Sequence, residues 1–390
     1  MSSNLICDIS RLDWDCTEAD TQYLTHSIHR YSGKFIPQIA RQAIELLTKP
    51  GDTILDPYCG SGTTSLEAAL LNRKSIGIDL NPLAILIAKV KTTPISPERL
   101  KQFQQSLELN LTGTSEILWG SPSTKSLFSS FQSSEDYENI IQSDARWHDQ
   151  LFQKWFQEII LKELIVLDHI IHSEEDITLR RVAVVAFSDI LRKCSNAHGG
   201  YPNLMFDKNK GTVQPAIPQF LKRFGEIVNQ ICELENALKG KPQPNVVLSD
   251  NTNLPLVDSS IDAVITHPPY ISSIPYAEYG FLSLIWLGTN PKELDQQLTG
   301  GRRHSKDVVS RFREGFCKII SETYRVLKSE GKFFMLLGNP TVDAQRIDLS
   351  SMAEEMASNK NFKLIAKYQR KGMNRRANLM GREDLLFFQK

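Results

Sequence analysis

With 390 residues, 41% of them apolar and 23% charged, the chain has the composition of a folded globular protein and the length for one large α/β domain with a substantial insertion. Lysine plus arginine (45) balance aspartate plus glutamate (45), so net charge carries no nucleic-acid signal and charge must be read locally. No apolar run reaches the roughly 18 residues of a membrane span, and the N-terminus MSSNLICDIS lacks the basic-then-apolar order of a signal peptide. The expectation is a cytoplasmic protein without a membrane partner. Its six cysteines (Cys7, Cys16, Cys59, Cys194, Cys232, Cys317) form no CxxC pair and read as reduced thiols, and His26, His148, His198 and His304 lack metal-ligand spacing, so no metal is assigned.

In chain order, Ser27 to Thr48 reads as a polar and aromatic loop followed by a helix that begins after Pro37 and stops at Pro50-Gly51. The next stretch predicts a strand (Thr53–Leu55), a Gly-rich turn, a helix (Thr64–Leu71), a second strand (Ser75–Ile78) and a helix (Pro82–Lys89). That is a βαβα unit, which calls for a parallel sheet. Residues 92–243 interrupt it with a Ser-rich stretch (Ser121 to Ser134) and helical segments around Trp155–Ile171 and Leu179–Arg192. The polar loop SNAHGGYPNLMFDKNKGT, which holds Asn196 and Tyr201, and the Pro-rich GKPQP close this insertion. From Asn245 five further strands follow, VVLSD, IDAVI, KFFMLLG, FKLIAKYQR and DLLFFQK, giving seven in all. The organisation is therefore 1–91 as the first part of a catalytic domain, 92–243 as an inserted helical region, and 244–390 as the second part.

The first strand runs into Asp56-Pro57-Tyr58-Cys59-Gly60-Ser61-Gly62-Thr63-Thr64, a turn at the carboxyl end of a strand, where doubly wound sheets bind ligands and where two glycines let the backbone come close. It is neither GxGxxG nor a phosphate loop, which disfavours a phosphate cofactor. Asp79, after the second strand, is placed to accept hydrogen bonds from a ribose diol, and Asp250, after VVLS, to face an adenine amino group; each alone also reads as a strand-end turn residue or a helix cap. Directly after IDAVIT stands His267-Pro268-Pro269-Tyr270. The paired prolines stiffen the loop and offer carbonyls without donors, a wall suited to an amine, and Tyr270 is a candidate to stack on a base turned out of a duplex.

DPYCGSGTT together with HPPY resembles the N4-cytosine/N6-adenine DNA methyltransferase family. The resemblance implies a Rossmann-like seven-stranded methyltransferase sheet with S-adenosylmethionine as cofactor and double-stranded DNA as partner; a cognate restriction endonuclease is a further partner this class admits. It maps the cofactor loop to Asp56, Pro57, Cys59, Gly60, Gly62 and Thr63, the ribose-binding acid to Asp79 with Asn81 beside it, the adenine-contacting acid to Asp250, and the catalytic motif to His267, Pro268, Pro269 and Tyr270. HRYSGKFIPQIA is similar to the segment that covers the cofactor's methionine end in this family, with Lys34, Phe35 and Pro37 as contacts. By motif order the insertion is the candidate target-recognition region, although it precedes Asp250 where the family's middle recognition domain follows that acid.

His267 departs from the family's Asp, Asn or Ser. Neutral imidazole still supplies one acceptor nitrogen, so with an ordinary pKa of about 6.5 activity is expected to fall as pH drops through that value. HPPY settles neither base, and the following stretch, Ile271-Ser272-Ser273-Ile274-Pro275-Tyr276 up to Leu287-Gly288, resembles the N4-cytosine members. Other readings are N6-adenine methylation, methylation of guanine N2 in transfer RNA, whose enzymes share DPxCGSGT but carry an RNA-binding domain for which about 50 residues before Asp56 leave no room, and a non-catalytic cofactor-binding protein, against which the intact Pro268-Pro269-Tyr270 argues. Two basic stretches, 301–332 with nine Lys/Arg against four acids and 367–376 with five against none, are candidates for a phosphate-facing surface or for solvated faces.

Overall fold

Seven strands form one sheet in the computed structural model, which describes residues 2–118, 147, 150–200, 203–271, 274–300, 307–342, 345–371 and 382–390. They are β1 (Thr53–Asp56), β2 (Lys74–Asp79), β3 (Asn245–Leu248), β4 (Ile261–Thr266), β5 (Leu327–Gly338), β6 (Lys363–Arg370) and β7 (Glu383–Gln389), in the spatial order β3-β2-β1-β4-β5-β7-β6. A separate two-residue ladder pairs Thr341–Val342 with Gln345–Arg346. β1 to β5 are parallel, whereas β7 runs antiparallel between β5 and β6. Strand β4 is apolar almost throughout and buried on both faces, the pattern of a central strand covered by helices on each side.

The chain starts at β1, steps outward to β2 and β3, and returns to β4 on the other side of β1. This reversal opens a crevice beyond the carboxyl ends of β1 and β4. Because β7 is antiparallel, its first residue, Glu383, pairs with Gly338 at the end of β5 and so arrives at that same edge.

The described helices of the insertion are Pro97–Leu118, Gln150–Trp155, Glu158–His172, Ile177–Leu191 and Ala216–Leu238. Their buried side chains join Leu83, Ile87 and Val90 of helix Pro82–Thr92, and Leu282, Leu284 and Trp286 from the segment after β4, in one continuous core. Leu234 and Leu238 also reach Leu66 and Ala69 on helix Thr63–Leu70. The described part of the insertion is thus a layer laid on the sheet's helices. A buried carboxylate ties it down: Asp168 accepts from Trp147 Nε1 (3.2 Å) and from Trp286 Nε1 (3.1 Å). Among the described residues no helix is long and apolar enough to cross a membrane, and no His/Cys/Asp/Glu group could hold a metal.

In the first unit both strands and the helix after β1 agree with expectation to within a residue, Thr63–Leu70 against Thr64–Leu71, while the second helix runs three residues past the expected Lys89, to Thr92. Gly62 caps it with φ 82°, and a Cβ there would lie 2.8 Å from Ala88 Cβ on the neighbouring helix. The second glycine of the turn therefore serves close helix packing. Gly62→Ala combines left-handed strain with overpacking and is expected to destabilise the fold by about 2–4 kcal/mol, read as a lower urea midpoint at unchanged slope. A midpoint equal to that of the wild type would show that the two helices can move apart.

Candidate active site

Strand β1 ends in Asp56, whose buried carboxylate accepts from Thr266 Oγ1 at the end of β4 (2.6 Å) and from the Tyr58 N–H (3.1 Å). Burial pushes its pKa up to about 6, against the pull of its hydrogen-bond donors. Asp56 thus holds the two strand ends together from below. Beyond it the Gly-rich turn crosses the crevice, with Tyr58 and Gly60 facing a cavity of about 600 Å³. Cys59 turns the other way, into a cluster with Ile85, Ala88 and Val246.

At the end of β2 the Asp79 carboxylate accepts from the Gly60 N–H (2.9 Å) and the Asn81 N–H (2.8 Å). Asn81 Oδ1 caps the following helix by accepting from the Leu83 N–H (3.0 Å). Among the described residues Asn81 Nδ2 and the Tyr58 hydroxyl are buried and make no hydrogen bond of ordinary distance and angle, although Asn81 stands near the Tyr31 phenol and Thr299 near that of Tyr58. Asp79 and Asn81 line the cavity, with Tyr31, Gly33, Asn251, His267, Pro269, Tyr276 and the stretch Gln297 to Gly300.

The opposite wall is built by the HPPY turn. His267 Nε2 lies 2.7 Å from the Tyr270 hydroxyl, which donates to Glu383 Oε1 (3.1 Å). Glu383 is ion-paired with Arg370, itself anchored on the carbonyls of Trp14 and Asp15. A carboxylate only accepts, so the phenol's single proton points to Glu383, and the phenol oxygen accepts from His267. That logic puts the imidazole proton on Nε2 and leaves Nδ1 with its lone pair, and among the described residues Nδ1 has no hydrogen-bond partner. Phe35 packs against the ring, with centroids 5.3 Å apart. Burial lowers the His267 pKa to about 4; Glu383 pulls it up and Arg370 pushes it down. The side chain is therefore neutral at pH 7, and the expectation of a titration near 6.5 gives way to the desolvation of its site.

Of the residues singled out in the sequence, the structure brings Gly60, Asp79, Asn81, His267 and Pro269 to one cavity. The others stand behind it or apart from it. Pro57 offers its carbonyl to Asn251 Nδ2 (2.9 Å), Thr63 and Pro268 are buried, and Gly62 packs on Ala88. Tyr270 lies in the core cluster of Leu55, Val264 and Phe312, so the ring faces turned to the cavity belong to Tyr31, Tyr58 and Tyr276. Asp250 is exposed and closes its own turn by accepting from the Thr252 N–H and Oγ1 (both 2.8 Å), while its neighbour Asn251 lines the cavity. Lys34 Nζ donates to the His26 carbonyl (2.9 Å), Phe35 supports His267 and Pro37 opens a helix, whereas Tyr31 and Gly33 just upstream reach the cavity. Gln297 to Gly300 carried no sequence signal.

The basic stretches are largely neutralised where they are described: Arg313, Lys318, Arg325, Lys328, Lys367 and Arg370 each pair with a carboxylate. Residues 301–306 and 372–376 lie outside the described residues, as do Tyr201, His148, His304 and the Ser-rich stretch. Asn196 donates to the Lys154 carbonyl within the insertion (3.2 Å).

A family model described as DNA methylase matches residues 14–90, which span the Gly-rich turn and Asp79. Across most of the chain the sequence is similar to the Type II methyltransferase M.MvaI of Kocuria varians, 27% identical over 410 residues that cover 92% of this chain and 86% of that protein. It is also similar to M.MjaII of Methanocaldococcus jannaschii, 23% identical with 94% and 81% covered, and to M.BsoBI of Geobacillus stearothermophilus, 25% identical with 71% and 55% covered. The matched segment and these relatives make the chain similar to the N4-cytosine/N6-adenine DNA methyltransferases. This methyltransferase uses S-adenosylmethionine, and the cavity suits it: Asp79 offers acceptors to a diol, Asn81 Nδ2 and the Tyr58 hydroxyl are buried polar atoms with hydrogen-bonding capacity to spare among the described residues, and Gly60, at φ 49°, leaves the backbone open to the cavity.

¹⁵N NMR of the histidine-labelled methyltransferase is expected to show His267 with Nε2 protonated and Nδ1 bare from pH 8 to about 5, and a midpoint near 4. An unfolded histidine takes its proton near 6.5, so between about 6.5 and 4 the unfolded chain binds more protons. This group's contribution to stability is therefore present above 6.5 and is lost as pH falls through 4. A midpoint above 6, or a proton on Nδ1, would contradict the arrangement.

Proposed function

We propose that the protein transfers a methyl group to an exocyclic amino group of a base in DNA, with N4 of cytosine as the acceptor, and that His267 Nδ1 is the hydrogen-bond acceptor that prepares this amine. The observation that carries the reading is the wall of the cavity: a neutral imidazole held in one tautomer next to Pro269, opposite Asp79 and Asn81. S-adenosylmethionine, when bound, supplies an electrophilic methyl group on a positively charged sulfur. Gly60, Asp79, Asn81, Tyr58 and Asn251 are the residues to hold it.

An aromatic amine is a poor nucleophile because its lone pair is delocalised into the ring. Nδ1 accepting one of its N–H bonds, with a carbonyl of the rigid proline pair accepting the other, favours a pyramidal nitrogen with its lone pair available. With the cofactor bound, the amine nitrogen would take its methyl group, the electron pair of the broken C–S bond would stay on sulfur, and the N–H proton directed at Nδ1 would pass to that nitrogen and on to solvent. Tyr31, Tyr58 and Tyr276 supply aromatic surface for a base drawn out of its stack. The cytosine assignment is supported by the stretch after the motif, which contributes Tyr276 to the cavity and resembles the N4 members. The same reading makes 92–243 the target-recognition region and admits a companion endonuclease.

Nucleoside mass spectrometry on DNA from a methylation-free host expressing the protein tests this. N4-methylcytosine is expected with the wild type, and His267→Ala is expected to lower transfer by about 10²-fold or more while S-adenosylmethionine binding is retained. N6-methyladenine would replace the base assignment, unmodified DNA would overturn the reading, and full transfer by His267→Ala would remove His267 from the chemistry.

A further inference from the structure

A second cavity, of about 570 Å³, adjoins the first. Tyr31 and Tyr276, their ring centroids 6.0 Å apart, belong to the walls of both. It is a seam between two parts of the fold: Arg30 comes from the segment ahead of the Gly-rich turn, Asp189 and Arg192 from the end of insertion helix Ile177–Leu191, and Tyr279 from the segment after HPPY.

The polar groups on its floor are already satisfied. Ser188 Oγ donates to Ser283 Oγ (2.8 Å), and His29 Nε2 meets Ser188 Oγ at 3.0 Å. Asp189 accepts from the Arg30 N–H (2.8 Å) and is neutralised by Arg223 Nε (2.7 Å). Burial lowers the His29 pKa, so that ring adds no charge at neutral pH. The guanidinium of Arg30 is exposed and has no ion-pair partner among the described residues. Arg192, which donates to the Asn203 carbonyl (2.9 Å), stands close enough that burial and then the like charge of Arg30 lower its pKa. Arg30 and Arg192 thus line one cavity in which Asp189, the carboxylate among its described lining residues, already holds Arg223.

We propose that this seam seats a phosphodiester of the DNA strand next to the target nucleotide, with Arg30 and Arg192 as its cationic partners. A nucleotide whose base is drawn into the first cavity carries its phosphates with it, one sugar away, and these need positive charge at the rim. The seam lies one tyrosine wall from His267's cavity and offers that charge beside aromatic rings, a combination suited to a single strand leaving the duplex. The proposal rests on the base being extruded into the first cavity, as the proposed function requires. It also gives the insertion a share in holding DNA, through Arg192.

The test is binding of short fluorescent duplexes cut from unmethylated plasmid DNA, by anisotropy between 50 and 200 mM salt, with S-adenosylmethionine affinity measured separately by equilibrium dialysis. Arg30→Ala is expected to weaken DNA binding about tenfold and to make the log–log salt slope shallower by about 1, Arg30→Lys to restore the slope, and cofactor affinity to stay at the wild-type value. Arg30 is exposed, so the replacement leaves the core untouched. Unchanged DNA affinity and slope would overturn the proposal. So would a loss confined to S-adenosylmethionine affinity, which would assign the seam to the cofactor's carboxylate. Neither readout depends on which base is methylated, so failure here is separable from failure of the base assignment.

Discussion

A single buried hydrogen bond, from Thr266 Oγ1 to Asp56 at 2.6 Å, joins the ends of β1 and β4 at the place where the strand order reverses. The Gly-rich turn leaves one of these ends and the HPPY turn the other. Whatever lies between the two turns is therefore positioned by this bond together with the parallel ladder that pairs Ile54 with Ala263 and Leu55 with Val264. The carboxylate is held against a strong desolvation penalty, and its donors act at once on strand, turn and neighbouring strand. Asp79 repeats the device one strand further out, with the backbone of Gly60 and Asn81 as donors. Buried Asp56 and half-buried Asp79, at successive strand ends, shape this side of the cavity, where the proposed function seats the cofactor.

The other side of the cavity depends on the sheet's one reversal of direction. Antiparallel β7 delivers Glu383 to the carboxyl end of the parallel strands, where it meets Tyr270. The Arg370–Glu383–Tyr270–His267 chain then determines on which nitrogen the imidazole carries its proton. A histidine replaces the carboxylate, amide or hydroxyl found at this position in the family, and it supplies an acceptor only in one tautomer and only when neutral. Burial ensures neutrality; the chain of donors and acceptors ensures the tautomer.

The architecture was legible in the sequence because its signals are local. Alternating apolar strands and helices with short turns mark all seven strands, and the acids and glycines at strand ends mark the crevice. Individual contacts were less legible. Asp250 and Asn251 differ by one residue, yet the turn sends Asn251 into the cavity and leaves Asp250 exposed, a choice made by Thr252 and by the Pro57 carbonyl. Gly60 and Gly62 look equivalent in sequence, but one faces the cavity and the other packs on Ala88. Tyr270 reads as a stacking ring until Glu383, 113 residues later, is seen to hold its hydroxyl. Non-local partners decide each of these cases, and no pattern around the residue announces them.

The most direct test is a crystal structure of the protein with S-adenosylhomocysteine, the product form of the cofactor. The account predicts the ribose at Asp79, and the sulfur directed at the wall formed by His267 and Pro269 with Nε2 of the histidine still on Tyr270. A ligand seated in the Arg30 seam instead, or an imidazole turned so that Nε2 faces the ligand, would contradict it.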